Sequence, residues 1–379
     1  MIDFLIGSLS VLVKRGHGII SHLEEKQDLP QPVKAHCARI ADKTRGVIHS
    51  LNRRLSLLNS LKRGVENGNV SPAQAEPIFT ALFQAYRDSK RDLDTFEEFF
   101  AGHINRFNEA DVFLTSVAER IWQETGLPGI SPVAVTNTSG YFCTMAPLGI
   151  VFCPPSTENH LLTLPDFYHE SGHILPERTG QPLHGQRYRQ ALQDHTKSLH
   201  HQIRRVARPL NKKVIQEIAA HWEWRWAEEV ACDTLAARLV GPAYGWCNLY
   251  LCLQSPNVYA ISAEHPADAA RTEHIFRVLR RCNWVEEVSQ METRWKQYLR
   301  TVKQSKPRHY EDFHPTDLFT AIAEDTIELT TNLFTYNAQP ATLSLLLNEA
   351  WQHFVNDPIG YCAWEQQTIS ALRKQLVPQ

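Results

Sequence analysis

Apolar residues recur along most of this chain at intervals of three and four, the spacing that gathers them on one side of an α-helix. Between residues 31 and 65 they fall at Val33, Cys37, Ile40, Val47, Leu51, Leu58 and Leu61, close to a heptad, with Lys and Arg on the other faces. This predicts a long amphipathic helix ended by Asn67-Gly68-Asn69. Ser71-Pro72-Ala73-Gln74 then has the form of a capping box, so another helix opens there. The pattern resumes from Ile78 to Phe107 through Leu82, Phe83, Tyr86, Leu93, Phe96, Phe100 and Ile104, and a shorter helix is expected from Glu109 to Glu124. Met1 to Val13 is apolar, but it is shorter than the roughly 20 residues a bilayer span needs and has no basic residue ahead of the apolar run. It predicts an amphipathic first helix packed on the body and closed by Lys14 and Arg15.

After Gly126-Leu127-Pro128-Gly129 the period changes. Pro132 to Val135, Gly140 to Thr144 and Gly149 to Cys153 are short β-branched and aromatic runs separated by turn residues, which predicts a small three-stranded sheet. Helical spacing returns at 165–175 and at 214–240, the latter stopped by Gly241-Pro242. Further helices are expected over Thr272 to Cys282, Trp284 to Val302, Asp317 to Tyr336, Thr342 to Val355 and Tyr361 to Leu376. The fold class is therefore mainly α with a small β-sheet. A helical lobe at 1–127, a core at 128–282 and a second helical lobe at 283–379 follow from these shifts.

Charge and composition narrow the functions. The 39 Lys plus Arg nearly balance 41 Asp plus Glu, so no global basic footprint of a nucleic-acid binder is present, and pairs such as Arg53-Arg54 and Lys62-Arg63 read as solvated helix faces. Eight cysteines lie scattered without Cys-x-x-Cys pairs, which argues against a disulfide framework or a thiolate metal site and predicts reduced, mostly buried thiols in a cytoplasmic protein. No segment is expected to span a membrane.

The candidate chemistry lies in Pro165-Asp166-Phe167-Tyr168-His169-Glu170-Ser171-Gly172-His173-Ile174-Leu175. Residues four apart share a helix face, so His169 and His173 can grip one Zn²⁺ while Glu170 takes a proton from an attacking water. Pro165 and Asp166 suit the start of a helix, and Pro176 is expected to stop it.

A third ligand is sought on the helix at 214–240, where Glu229 and Asp233 stand four apart beside Ala231, Ala236 and Ala237. Glu229 can complete the site and Asp233 can fix an imidazole tautomer from behind. Glu228 is the rival ligand, but the residue four after it is Cys232, which cannot play that supporting part. His184, His195, His200 and His201, in the polar insertion at 178–213, have no partner at useful spacing and read as a solvated face or mobile flap. Trp222, Trp224 and Trp226 read as core packing.

Strands leading into His-Glu-x-x-His, a later Glu-x-x-x-Asp helix and the segment Ser262-Ala263-Glu264-His265-Pro266-Ala267-Asp268-Ala269-Ala270-Arg271 together resemble the gluzincin metallopeptidases of the HtpX and CAAX-prenyl-endopeptidase types. The resemblance covers 131–279. It departs from those relatives in lacking their membrane helices and in placing 55 residues between His173 and Glu229. It implies a zincin-like core between helical lobes, one Zn²⁺ per chain and hydrolysis of a protein or peptide substrate. For His265 it implies either donation to the oxyanion or a plug on the metal, and for Arg271 a brace on the active site or on the Glu229/Asp233 pair. Tyr259, Tyr244 and His314 are further candidates at the site. A latent form, blocked by His265 or by the insertion until a protein partner moves it, is compatible with this reading. The competing expectation is a non-catalytic helical binding or regulatory protein with a structural zinc.

Overall fold

The computed structural model describes residues 2–25, 29–136, 141–202, 211–333 and 342–377. Its elements run α1 (Ile2–Glu24), α2 (Gln31–Glu66), α3 (Pro72–Thr95), a π-helical turn (Phe96–Ala101), α4 (Gly102–Ile104), α5 (Glu109–Thr125), β1 (Val133–Thr136), β2 (Cys143–Met145), β3 (Ile150–Cys153), α6 (Asp166–Thr179), α7 (Gln186–Gln202), α8 (Lys212–His221), a second π-helical turn (Trp222–Trp226), α9 (Ala227–Val240), α10 (Pro242–Cys252), α11 (Asp268–Arg281), α12 (Val285–Val302), α13 (Tyr310–Phe313), α14 (Thr316–Leu333), α15 (Thr342–Asn356) and α16 (Tyr361–Leu376). The protein is mainly helical with one small sheet, as the apolar spacing predicts.

The sheet has the order β1-β3-β2, with β1 parallel and β2 antiparallel to β3. Alternate residues point to opposite faces of a strand, and here each face meets a different core. Val133, Val135, Ile150 and Phe152 pack with α1, α2 and α3 through residues such as Leu9, Ile40 and Leu93. Ala134, Val151 and Cys153 pack with α5, α6 and α9 through Leu114, Ile174 and Val230. Asp111, buried at the start of α5, fixes the entry to this wall by accepting from the backbone N–H of Thr136 at 2.7 Å and its hydroxyl at 2.9 Å. Of the two outer strands β1 is largely buried, while β2 is a partly exposed edge lying against α6.

The capping box forms: the Gln74 N–H donates to Ser71 Oγ and the Ser71 N–H to Gln74 Oε1. Several boundaries move, each for a visible reason. Lys14 and Arg15 do not close α1, which continues to Glu24 because Gly16, Ile19, Ile20 and Leu23 prolong its buried stripe, while Arg15 turns outward to Asp94 and Glu97. Pro176 does not stop α6. It sits in the last turn, and the helix ends at Gly180, left-handed with φ 69°, whose N–H donates to the Pro176 carbonyl at 2.8 Å. Gly241-Pro242 stops α9 but also begins α10, Pro242 taking the first-turn position that suits its fixed φ. The sequence pattern alone missed this helix, whose residues from Pro242 to Leu249 are all buried and so carry no amphipathic period. Residues 334–336 and 203–210, which belong to an expected helix and to the polar insertion, lie outside the described residues.

Five of the eight cysteines, Cys37, Cys153, Cys232, Cys247 and Cys252, are buried free thiols. No helix among the described residues is long and apolar enough to cross a membrane.

Candidate metal centre

The two helices that carry the candidate ligands are pressed together at a glycine. A Cβ on Gly172 would lie 2.7 Å from Cys232 Sγ and 3.0 Å from Cys232 Cα, so α6 and α9 touch backbone to backbone one turn from both ligand sets. His169, His173 and Glu229 meet across this contact. His169 Nε2 is 3.3 Å from His173 Nε2, His169 Nε2 is 3.3 Å from Glu229 Oε2, and His173 Nε2 is 3.4 Å from Glu229 Oε1. All three side chains are buried or nearly so, and they form a group that could hold a metal ion. Glu229 Oε2 is buried without a well-aligned donor, although His265 Nδ1 lies 3.1 Å away. A buried carboxylate oxygen in that state calls for a cation.

Behind this triangle each imidazole is held by an acid. Asp233 Oδ1 lies 3.0 Å from His169 Nδ1, and Glu228 Oε1 lies 2.9 Å from His173 Nδ1. Nε2 of both rings is thus turned toward Glu229. Asp233 is itself clamped: Arg271 donates from Nε to Oδ2 at 2.8 Å and from Nη2 to Oδ1 at 2.7 Å, and the Tyr244 hydroxyl donates to Oδ1 at 2.5 Å. Burial alone would raise the Asp233 carboxyl, but Arg271 and His169 hold it far below the usual carboxylate range. Glu229 is likewise lowered against its burial by His169, His265 and His173. The same contacts raise His169 despite its burial, Asp233 and Glu229 favouring the charged ring.

Glu170 follows His169 on α6 and meets the sheet. The Thr144 hydroxyl on β2 donates to Glu170 Oε2 at 2.5 Å, tying the motif's carboxylate to the edge strand. His265 is half-exposed at the rim, its loop pinned by Ser262 Oγ, which donates to the His265 carbonyl and accepts its N–H at 2.9 Å each.

The expected residues therefore come together: His169, His173, Glu229, Asp233, Arg271 and His265 form one connected cluster, with Glu170 adjoining through α6. Some assignments change. Glu228, weighed as a rival ligand, reaches the far nitrogen of His173 instead. Tyr244 lies behind His169, its hydroxyl spent on Asp233 and 3.0 Å from Nδ1, so it cannot face an oxyanion in front of Nε2. Tyr259 packs edge-on against Tyr310. His314 is a structural clamp, with Nδ1 bonded to the Tyr310 carbonyl at 2.9 Å and Nε2 accepting the Ala267 N–H at 3.1 Å. His200 and His201 are exposed, but His195 binds the Asp312 carbonyl and His184 packs on Tyr188. Trp222 and Trp226 are fully buried, whereas Trp224, two residues from each and so on the opposite side of the helix, is 73% exposed. Thr144 was not singled out from sequence; its place on an expected edge strand was the available signal.

No family model matches the chain, and neither a curated protein nor a solved structure matches it.

Proposed function

We propose that this protein is a zinc-dependent endopeptidase of gluzincin type. The observation that carries the reading is the convergence of His169, His173 and Glu229 at ligand spacing. A tetrahedral ion with bonds of about 2.0–2.1 Å separates its ligand atoms by about 3.3–3.4 Å; the two Nε2 atoms lie 3.3 Å apart, and Glu229 sets Oε2 3.3 Å from His169 Nε2 and Oε1 3.4 Å from His173 Nε2, one oxygen toward each ring. Two imidazoles and one carboxylate, each imidazole backed by an acid, form a donor set suited to zinc in a catalytic site with a position left for a reactant. Among the described residues the convergent group contains only these three side chains. A structural zinc, as in a non-catalytic binding protein, would call for a fourth.

His169, His173 and Glu229 would hold the ion, which when bound supplies Lewis-acid polarisation and lowers the pKa of water toward about 7. Glu170 accepts a proton from the attacking water and returns it to the leaving amine. Thr144 holds Glu170 in place. Asp233, fixed by Arg271 and Tyr244, and Glu228 set the tautomers of the two rings. The exposed edge of β2 offers backbone groups to which an extended peptide can add, beside Glu170. His265, at the rim, is placed either to donate to the developing oxyanion or to cover the site until a partner displaces it.

Metal analysis and a cleavage assay test this. Purified protein should hold about one zinc per chain, His169→Ala with His173→Ala should abolish it, and Glu170→Gln should keep zinc while losing peptide cleavage. A chain that binds no zinc, or whose zinc survives loss of both histidines, overturns the reading.

A further inference from the structure

Three guanidiniums of α11 line one cavity. Arg277, Arg280 and Arg281 stand three and four residues apart, so they share a side of the helix, and with Phe319 of α14 and the buried His274 they border a space of about 290 Å³. Like charges at this spacing repel one another and destabilise a helix. Two of the three are answered by acids: Arg280 Nη2 meets Glu292, and Arg281 Nη2 lies 2.9 Å from Glu324 Oε1. Arg277 is not. Its Nε donates to the Glu273 carbonyl at 3.2 Å and its guanidinium carbon lies 5.7 Å from the centre of the Phe319 ring, but among the described residues no carboxylate pairs with it and its two terminal nitrogens bond nothing. Burial lowers its pKa, and Glu273, one turn back, offsets this only in part. His274 brings no compensating charge; its Nε2 is 2.8 Å from the Thr234 hydroxyl, and burial holds the ring neutral with a pKa of about 4. A solvated helix face accounts for arginines that reach into water. It does not account for one laid against a ring at the edge of a cavity, with its fork uncommitted and two more cations beside it.

We propose that this cavity binds a small phosphate monoester, its phosphoryl oxygens received by Arg277 together with Arg280 and Arg281 and its organic group lying beside Phe319. A guanidinium fork matches phosphate and carboxylate oxygens alike. The choice between them follows from the walls: three forks border one space, which suits an acceptor whose oxygens lie in more than one plane, whereas a flat carboxylate is satisfied by a single edge. The volume lies near the lower limit of cavities that hold small ligands, about 300 Å³, so the occupant is a small molecule. Arg271, six residues earlier on α11, serves Asp233 and the metal centre, while Arg277 serves this cavity. The inference therefore does not depend on the peptidase reading.

The test is calorimetric titration of the full-length protein with phenyl phosphate, inorganic phosphate and benzoate, as purified and again after chelation of metal. Phenyl phosphate should bind in both preparations with a Kd below about 1 mM, weakening as salt is raised, and benzoate should bind at least about tenfold more weakly. Inorganic phosphate should bind more weakly than its phenyl ester, since it leaves the space beside Phe319 unfilled. Arg277→Gln should lower the affinity for phenyl phosphate at least about tenfold, and Arg277→Lys, which keeps the charge but not the fork, should also lower it. Arg281→Gln, at a side chain 48% exposed, should lower it at least about threefold. No binding at about 10 mM, benzoate as tight as phenyl phosphate, binding lost on chelation, or affinity unchanged by the arginine substitutions overturns the proposal. If Arg277→Gln fails to fold, Arg277→Lys and Arg281→Gln decide. Loss of peptide cleavage by Glu170→Gln has no bearing on this site, so the two readings stand or fall separately.

Discussion

Glu228 Oε1 lies 2.9 Å from His173 Nδ1 while Glu229 Oε1 lies 3.4 Å from Nε2 of the same ring, so two consecutive acids of α9 serve opposite edges of one imidazole. Glu228 is 40% exposed at its side chain and Glu229 only 3%, which sorts them into an outer support and an inner candidate ligand. Glu228→Gln should weaken zinc binding about 10-fold to 100-fold, the usual effect of removing an acid that orients a liganding histidine. Competition with a chromophoric chelator would measure it. Unchanged affinity would show that the contact does not orient the ring.

Asp233→Asn should cost more than affinity. It leaves the Arg271 guanidinium, 16% exposed, facing a neutral amide, and breaking a buried ion pair from one side destabilises by up to about 3–5 kcal/mol. Urea unfolding of the zinc-free protein checks this, since the loss is expected without metal. Equal stability of the zinc-free variant and wild type would contradict it.

Gly172→Ala should loosen the site from a distance. The new methyl would meet Cys232 Sγ at 2.7 Å and Cys232 Cα at 3.0 Å, and the backbone atom cannot step aside. Overpacking of this kind costs typically about 1–3 kcal/mol. Since the two ligand sets hang on the two helices forced apart, zinc affinity should fall along with the melting temperature. Calorimetry with and without zinc would show both changes, and pairing with Cys232→Ala should restore part of each.

Thr144→Val should keep zinc and fold but slow peptide cleavage by about tenfold or more, because positioned proton transfer contributes about 10²–10⁴-fold and the hydroxyl is what steadies Glu170. Thr144→Ser should stay close to wild type. A Val variant as fast as wild type would place the hydroxyl outside the reaction.

Acid should weaken the fold through His36. This fully buried ring binds the Ser131 carbonyl through Nε2 and takes an Arg39 N–H on Nδ1 at 3.1 Å, so it is held neutral. Burial, with Arg39 beside it, lowers its pKa to about 4, against about 6.5 in an unfolded chain. The unfolded state then binds the extra proton between those values. The contribution is complete above about pH 6.5 and disappears as pH falls to about 4, amounting to at most about 3 kcal/mol. Denaturation midpoints at pH 7 and pH 5 should differ less in His36→Gln than in wild type.

How much of this could be read beforehand depended on whether the information was local. His169, Glu170 and His173 are neighbours on one helix, and the alternation in Val133 to Cys153 announces strands, so both were legible. Glu229 and Asp233 were legible because an acid four residues from another, among alanines, has no comfortable place in a core without a partner. Glu228's support of His173 was not, since it depends on the rotation of α9 against α6, which the closeness of Gly172 to Cys232 sets. α10 escaped because a helix buried on every side has no polar face to betray it.

The sheet carries one more implication. Val135, Ile150 and Phe152 are upholstered by the first hundred residues, while Val151 and Cys153, between and beside them, belong to the chemistry side. Pruning the leading helices would strip one surface of a three-strand partition and free its outermost ribbon, the one that bears Thr144, to wander from the carboxylate it steadies. Those helices, which carry none of His169, Glu170, His173 or Glu229, thus have mechanical custody of the strand on which Thr144 meets Glu170.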